Sequence, residues 1–355
     1  MNYIHIMAER VQGRGSSFNP QNRFEKLHID ELSDEMEPLE RTKIQTTYFH
    51  DSSRSILAKN DSPDVPFTFS VNPYRGCEHG CIYCYARPSH EYLGFSAGLD
   101  FESKIMVKTD APQLLEEAFR DPSFEPQVIA LSGNTDCYQP VERKLKLTRA
   151  CLEVFLKYKN PVGIITKNAL ILRDLDLLKE LATHNLVAVH VSITSLDPTL
   201  ISRMEPRTST PENRLKAVRT LADAGIPVGV NCAPMIPGLT DEEIPEILRR
   251  SAESGALSAD YILVRLPYAV KDLFVEWVER EFPQRAPKVL NRIRQTRNGG
   301  LSDPRFHSRM SGEGEVAKAI ADLFELACKR YGLNKITTEL STAGFQRSGQ
   351  LSMFL

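Results

Sequence analysis

Two spacings of apolar residues alternate along this chain. Short apolar or β-branched runs stand at 67–72 (FTFSVN), 127–132 (QVIALS), 162–166 (VGIIT), 187–193 (LVAVHVS), 226–233 (IPVGVNCA) and 260–264 (DYILV), with the length and residue types of buried strands. Between them, near 111–120, 143–158, 170–182, 211–223 and 241–253, the apolar positions recur at helical spacing. Leu175, Leu178, Leu181 and Ala182 share one helix face, and Leu215, Val218, Leu221 and Ala222 share another. Pro211 stands where a first helical turn tolerates a missing N–H, and Gly225 follows that segment as a helix cap would. Strands alternating with helices predict an α/β fold with a parallel sheet and right-handed crossovers. An open doubly wound sheet and a full or partial barrel both satisfy the pattern. In either, the chemistry belongs in the loops after the carboxyl ends of the strands.

The flanks differ from this middle. Residues 1–65 are polar, with short apolar islands and prolines at 20, 38, 63 and 66, and read as an extended arm or as partly disordered chain. The alternating region runs over 66–282. Helical segments near 286–297 and 314–331 form a C-terminal extension over 283–335, and a polar tail occupies 336–355.

Composition narrows the class. The chain has 355 residues, 41% of them hydrophobic, enough for a large core. Lys plus Arg number 44 against 46 Asp plus Glu, so no overall charge draws it to nucleic acid or an anionic membrane, although a local patch stays open. No stretch approaches the run of about 20 apolar residues that spans a bilayer. The segment MNYIHIMAERVQGRG lacks the apolar centre of a secretory leader, so a cytoplasmic protein is expected. Seven cysteines are an odd count, and three of them fall within eight positions; in a reducing compartment such crowding points to metal or catalysis more than to a bridge.

Those three are Cys77, Cys81 and Cys84, in Asn72-Pro73-Tyr74-Arg75-Gly76-Cys77-Glu78-His79-Gly80-Cys81-Ile82-Tyr83-Cys84-Tyr85, directly after the first strand. Thiolates are the natural ligands of iron–sulfur iron. Three of them, with Gly76 and Gly80 freeing the backbone, serve three irons of a cuboidal cluster and leave the fourth open. The rivals are a zinc site and three thiols buried together. A structural zinc site wants four closed ligands, usually from two C-x2-C pairs, and His79 lies between two of the cysteines, where chelation would be strained. A ferredoxin needs a fourth Cys at matching spacing.

A C-x3-C-x2-C loop with an aromatic, Tyr83, before its last Cys resembles the radical S-adenosylmethionine (SAM) superfamily, and in particular an uncharacterised bacterial group distantly similar to spore photolyase. The likeness extends over about residues 60–335, through NDSPDVPF, NPYRGCEHGCIYCYARPSHEYLG, TDCYQPVERKLKLTR, ITKNALILRD, VSITSLD, MEPRTSTPENRL, AGIPVGVNCAPMIPGL and LVRLPYAV. It implies a partial (β/α)6 TIM-like barrel, a [4Fe–4S] cluster on Cys77, Cys81 and Cys84, SAM chelated to the open iron, and a 5′-deoxyadenosyl radical made with one electron from a reductant such as flavodoxin or ferredoxin. Positions matching Thr135, Lys167 and Ser192 contact SAM in the spore photolyase pattern. Ser132, Asn134 and Asp136 offer donors and a carboxylate for the SAM ammonium, although Ser-Gly-Asn-Thr-Asp is also ordinary turn chemistry. Lys167 suits the SAM carboxylate or is simply solvated. Glu205 and Arg207 line the pocket mouth or form a surface ion pair. Met235, within 233–237, belongs to a Pro-bounded apolar shelf for adenine.

The same likeness makes Tyr85 a candidate for relaying a hydrogen atom, against an aromatic packed beneath the cluster. The relay's cysteine partner falls near 133–134, where this chain has none; Cys137 is close but displaced, which puts the photolyase reaction itself in question. Cys151, Cys232 and Cys328 read as core residues. The tail ends Gln350-Leu351-Ser352-Met353-Phe354-Leu355, which resembles the peptide that docks repair proteins on the bacterial DNA sliding clamp, or packs back on its own domain. Arg292, Arg294, Arg297, Arg305 and Arg309 form a phosphate-facing patch or the solvated sides of helices and loops. The expectation is therefore a radical SAM enzyme acting on nucleic acid in repair or modification. The alternatives are the same chemistry on a small molecule or peptide, and a non-catalytic iron–sulfur or zinc protein that binds DNA or senses redox state.

Overall fold

A computed structural model describes residues 10–25 and 44–347. Among these residues the strands are β1 (Thr47–His50), β2 (Leu57–Lys59), β3 (Phe69–Val71), β4 (Tyr74–Arg75), β5 (Lys104–Val107), β6 (Ile129–Leu131), β7 (Val162–Thr166), β8 (Val187–Ser192), β9 (Val228–Met235) and β10 (Ser258–Leu263). The larger sheet runs β10-β9-β8-β7-β6-β3-β2. Every pairing from β3 through β10 is parallel, and β2 closes one edge antiparallel to β3. Each strand pairs with the next one along the chain. A doubly wound sheet would reverse direction partway, so the progressive order decides between the two architectures left open above. The fold is mixed α/β with barrel-type strand order, and β10 and β2 are its edges.

The elements follow from local chemistry. In β8, Val187, Val189 and Val191 are buried on one face, the period-two alternation of a strand. The helix Pro211–Asp223 begins at Thr210, whose hydroxyl accepts from the Asn213 N–H, with proline at its first position. Leu115, Phe119, Leu152, Phe155, Leu178, Leu181, Val218 and Leu248 come from five helices and join the strand residues in one buried cluster. Each such side chain contributes about 1.5–3 kcal/mol by leaving water.

The predicted helix at 143–158 is two, Glu142–Leu145 and Leu147–Tyr158, split at Lys146 with φ of 56°. The Glu142 carboxylate accepts from the Thr148 N–H at 3.1 Å and satisfies the start of the second helix. The helix Ala269–Glu281, for which the spacing gave no prediction, buries Val270, Leu273, Phe274, Trp277 and Val278. These pack in one cluster with Ile82, Tyr83, Ile236, Val289 and Ile293, so the packing runs unbroken across residue 282. The arm contributes β1, which pairs parallel with β5, and β2, which pairs with β3 across residue 65. Among the described residues, no helix is long and apolar enough to cross a membrane. The clamp-like residues Gln350, Leu351, Met353 and Phe354 lie outside the described residues.

Candidate active site

A cavity of about 210 Å³, open to solvent, lies at the carboxyl ends of the parallel strands. Cys77, Cys81, Tyr83, Cys84 and Tyr85 line it from the loop after β3. Ser132 to Asp136 line it after β6, Thr166 and Lys167 at β7, Ser192 at β8, Asn231, Ala233 and Pro234 in β9, and Arg265 after β10. Strand ends thus gather residues separated by almost two hundred positions.

The cysteine loop is held from behind. Gly76 and Gly80 have φ of 77° and 67°, the region favouring glycine, and a Cβ on Gly80 would stand 2.7 Å from Glu102 Oε2. Glu102, fully buried, pairs with the equally buried Arg87, whose Nε donates to the Cys81 carbonyl at 3.0 Å. The N-terminal segment completes this clamp. Gly15 N donates to Glu102 Oε2 at 3.0 Å and Ser16 N to Oε1 at 2.9 Å. A Cβ on Gly15 would lie 1.9 Å from the Gly80 carbonyl oxygen, so only glycine lets the strap lie against the loop.

The donor set fits an iron–sulfur cuboid. Three thiols from one loop line one end of the cavity. Among the described residues, no three His, Cys, Asp or Glu side chains converge on one ion, whereas a cuboid takes each thiolate at a separate iron. Burial pushes the Cys81 thiol well above its ordinary value, with Glu205 adding to the effect, and pushes Cys84 up to about 11 with help from Cys77. Loading metal here must therefore displace protons. His79 is already engaged. Its Nδ1 stands 3.4 Å from Asp136 Oδ2 and its Nε2 3.2 Å from Asn168 Nδ2. Burial opposes its charge, but Asp136 and Cys77 outweigh that and raise it to about 10.

The strand-end residues divide into tied and open groups. The Asp136 carboxylate accepts from Thr166 Oγ1 at 2.8 Å, Lys167 N at 2.7 Å and Tyr138 N at 2.9 Å, so it joins the loops after β6 and β7. Burial would raise it, but His79 and these donors hold it below the usual carboxylate range. The Thr135 hydroxyl donates to the Tyr74 carbonyl at 2.9 Å, and Ser132 Oγ accepts from Cys137 N at 3.1 Å. Lys167 reaches across the cavity floor, its Nζ 2.9 Å from the Ala233 carbonyl oxygen. Ser192 lines the wall and Asn134 the rim.

Two predicted cofactor contacts lie outside the cavity lining. Glu205 is buried, neither at the mouth nor in a surface pair: it binds Arg214, Thr194 and the Tyr83 hydroxyl. Arg207, its expected companion, pairs with Glu78 at 3.2 Å. Met235 is fully buried with its sulfur 3.3 Å from the Thr240 hydroxyl, and Ala233 and Pro234 form the wall instead. Cys137 is also buried and off the lining. The Tyr85 hydroxyl donates to the Gly133 carbonyl, at the position where the relay cysteine was expected. Of the five arginines, Arg297 is buried on backbone carbonyls, Arg305 pairs with Asp303 and Glu313, and Arg309 pairs with Asp64, while Arg292 and Arg294 are exposed on one helix. The sequence reading missed Asn231 and Arg265. Both follow from the strand-end rule applied to β9 and β10.

A model described as the radical SAM superfamily matches residues 71–250. An uncharacterized protein of Mycobacterium tuberculosis is 36% identical over 259 residues, 72% of this chain and 75% of the relative. An uncharacterized protein of Methanocaldococcus jannaschii is 31% identical over 175 residues, covering 49% and 63%. Among solved structures, spore photoproduct lyase complexed with dinucleoside spore photoproduct is similar in fold, with a TM-score of 0.56 and 19% identity over 80% of this chain and 79% of that one.

Proposed function

The chain belongs to the radical SAM superfamily, whose members use a [4Fe–4S] cluster and SAM, and from that premise we propose that it is an enzyme that cleaves SAM and acts on nucleic acid in repair or modification. The observation that carries this reading is the three thiols at one end of a strand-end cavity, with Lys167 reaching across its floor. Bound there, cluster and SAM supply a 5′-deoxyadenosyl radical that removes hydrogen from a substrate.

Cys77, Cys81 and Cys84 hold the cluster. Lys167 gives its charge to the SAM carboxylate, a charge-assisted contact worth about 1.5–3 kcal/mol. Ser192 and Asn134 donate to the amino-acid and ribose groups, while Thr135 and Asp136 set the loop. Tyr83 lines the cavity beside Cys81, and Glu205, one layer below, binds the Tyr83 hydroxyl and fixes the loop. Ala233 and Pro234 give adenine an apolar wall. Tyr85, whose hydroxyl donates to the Gly133 carbonyl, handles a hydrogen atom at the substrate in this reading. Among the described residues, the only thiols lining the cavity are the three cluster cysteines, so return of hydrogen from a separate cavity thiol is not part of this reading.

Nucleic acid is favoured over a small molecule by the shared fold with an enzyme solved with a dinucleoside lesion and by the clamp-like tail at Gln350, Leu351, Met353 and Phe354. A flavodoxin- or ferredoxin-type protein would deliver the electron. The test is to incubate reconstituted, reduced enzyme and SAM with ultraviolet-damaged DNA, undamaged DNA and RNA. Formation of 5′-deoxyadenosine stimulated by one of these, with a mass change in that strand, supports the reading. Cleavage indifferent to all three moves the substrate to another class.

A further inference from the structure

Arg265 lines the cavity without an ion-pair partner among the described residues and, unlike Lys167, has no backbone carbonyl bound to it. It follows β10 directly, is half-buried, and faces the cavity. Among the described residues, no carboxylate lies within ion-pairing distance of it. Its Nη1 meets only the Met310 sulfur, at 3.4 Å, and its guanidinium carbon stands 5.1 Å from the centre of the Tyr85 ring. Neither takes up the five donors of a guanidinium.

The surroundings hold this arrangement in place without neutralising it. Arg297 is 3% exposed and donates to the carbonyls of Leu263 at 3.2 Å, Val264 at 2.9 Å and Ser308 at 2.7 Å. It thereby ties the end of β10 to the 303–311 loop that carries Met310. The nearby Arg309 is already matched by Asp64. Burial and the charge of Arg309 both lower the Arg265 pKa from its ordinary value, a penalty that a bound anion would relieve. Lys167 serves a different part of the cavity, since its ammonium is bound to the Ala233 carbonyl at the end of β9.

We propose that Arg265 receives an oxyanion brought into the cavity beside Tyr85, and that this oxyanion is a backbone phosphate of the substrate strand. The proposal rests on the nucleic-acid reading above. A planar fork binds phosphate through two parallel hydrogen bonds. A guanidinium already resting on an aromatic face can keep that stacking while its outer N–H groups turn to the anion. Its place next to Tyr85 would set the nucleoside attached to that phosphate over the tyrosine hydroxyl. The SAM carboxylate is the other source of the same chemistry.

Binding to the reconstituted, SAM-loaded protein separates these sources. The probes are a dithymidine phosphodiester and its uncharged methylphosphonate analogue, titrated against wild type, Arg265→Gln and Arg265→Lys, with SAM binding measured on each protein. Arg265→Gln should weaken the phosphodiester about ten- to a hundredfold, the range for one charge-assisted contact. Arg265→Lys should lose less, wild type should bind the methylphosphonate as weakly as the Gln variant does, and SAM affinity should hold. Unchanged SAM affinity and melting temperature also show that the variants are folded. If wild type binds both probes equally well and Arg265→Gln changes neither, the phosphate assignment is overturned while the nucleic-acid reading stands. Loss of SAM binding with phosphodiester binding intact overturns it in favour of the cofactor carboxylate. Failure of wild type to bind either dinucleotide or longer strands removes the nucleic-acid reading and this proposal together.

Discussion

The two ends of the cavity are built on opposite principles. At the cysteine end, buried carboxylates are matched one by one. Glu102 faces Arg87 and two strap N–H groups, Glu91 faces Arg23 at 2.6 Å, Glu78 faces Arg207 and the Val141 N–H, and Glu205 faces Arg214. At the β10 end, Arg265 has a sulfur and a ring for company, and Asn231 of the neighbouring β9 lines the cavity beside it. The first arrangement holds a loop in one geometry, as a cluster requires. The second leaves hydrogen-bonding capacity for a molecule that comes and goes. A site that both holds a cofactor and admits a substrate needs the two kinds of wall.

The contrast predicts a gradient of mutational cost, steepest at the clamp. Glu102→Gln strands the buried Arg87 charge and should destabilise the protein by about 3–5 kcal/mol, seen as a large fall in the urea midpoint and loss of iron per chain. Acid should act at the same end. His90 is buried, and desolvation lowers its pKa to about 4. The folded state therefore refuses a proton that the unfolded chain takes below about 6.5. Stability from this source is complete above pH 6.5 and is lost as pH falls toward 4, by up to about 3 kcal/mol. His90→Gln should flatten that slope in a pH series of denaturant melts. Gly15→Ala drives a methyl into the Gly80 carbonyl and should cost about 1–3 kcal/mol, with the 10–25 segment becoming the first site of proteolysis. Rim changes should be smallest. Tyr85→Phe and Asn134→Ala should stay within about 0.5 kcal/mol of wild type in stability, while Tyr85→Phe lowers product formed per SAM cleaved. A Tyr85→Phe variant as destabilised as Gly15→Ala would erase the distinction between the two walls.

Local pattern carried most of the fold into the sequence. Val187, Val189 and Val191 announce a strand, and the Cys77–Cys84 loop is legible because its ligands are contiguous. What stayed hidden depends on partners far apart in the chain. Nothing near Gly15 or Glu102 says that they meet across 87 positions. Glu205 has Arg207 two residues away, which suggests a surface pair, yet its partner is Arg214 because the helix Pro211–Asp223 turns that side chain inward. Met235 reads as cavity wall from its strand-end position, but it packs into the core with its sulfur against Thr240, and Ala233 and Pro234 take the wall. Arg265 was within reach of the rule that found Lys167.

The central claim is that this cavity holds a cluster that cleaves SAM. The direct measurement is 5′-deoxyadenosine formed by anaerobically reconstituted, dithionite-reduced protein with SAM, with and without nucleic acid, beside Cys81→Ala. The account predicts product from wild type and none from the variant. A wild-type protein that takes up iron and sulfide, is reduced, and yields no product with SAM under either condition would contradict it and favour a redox sensor.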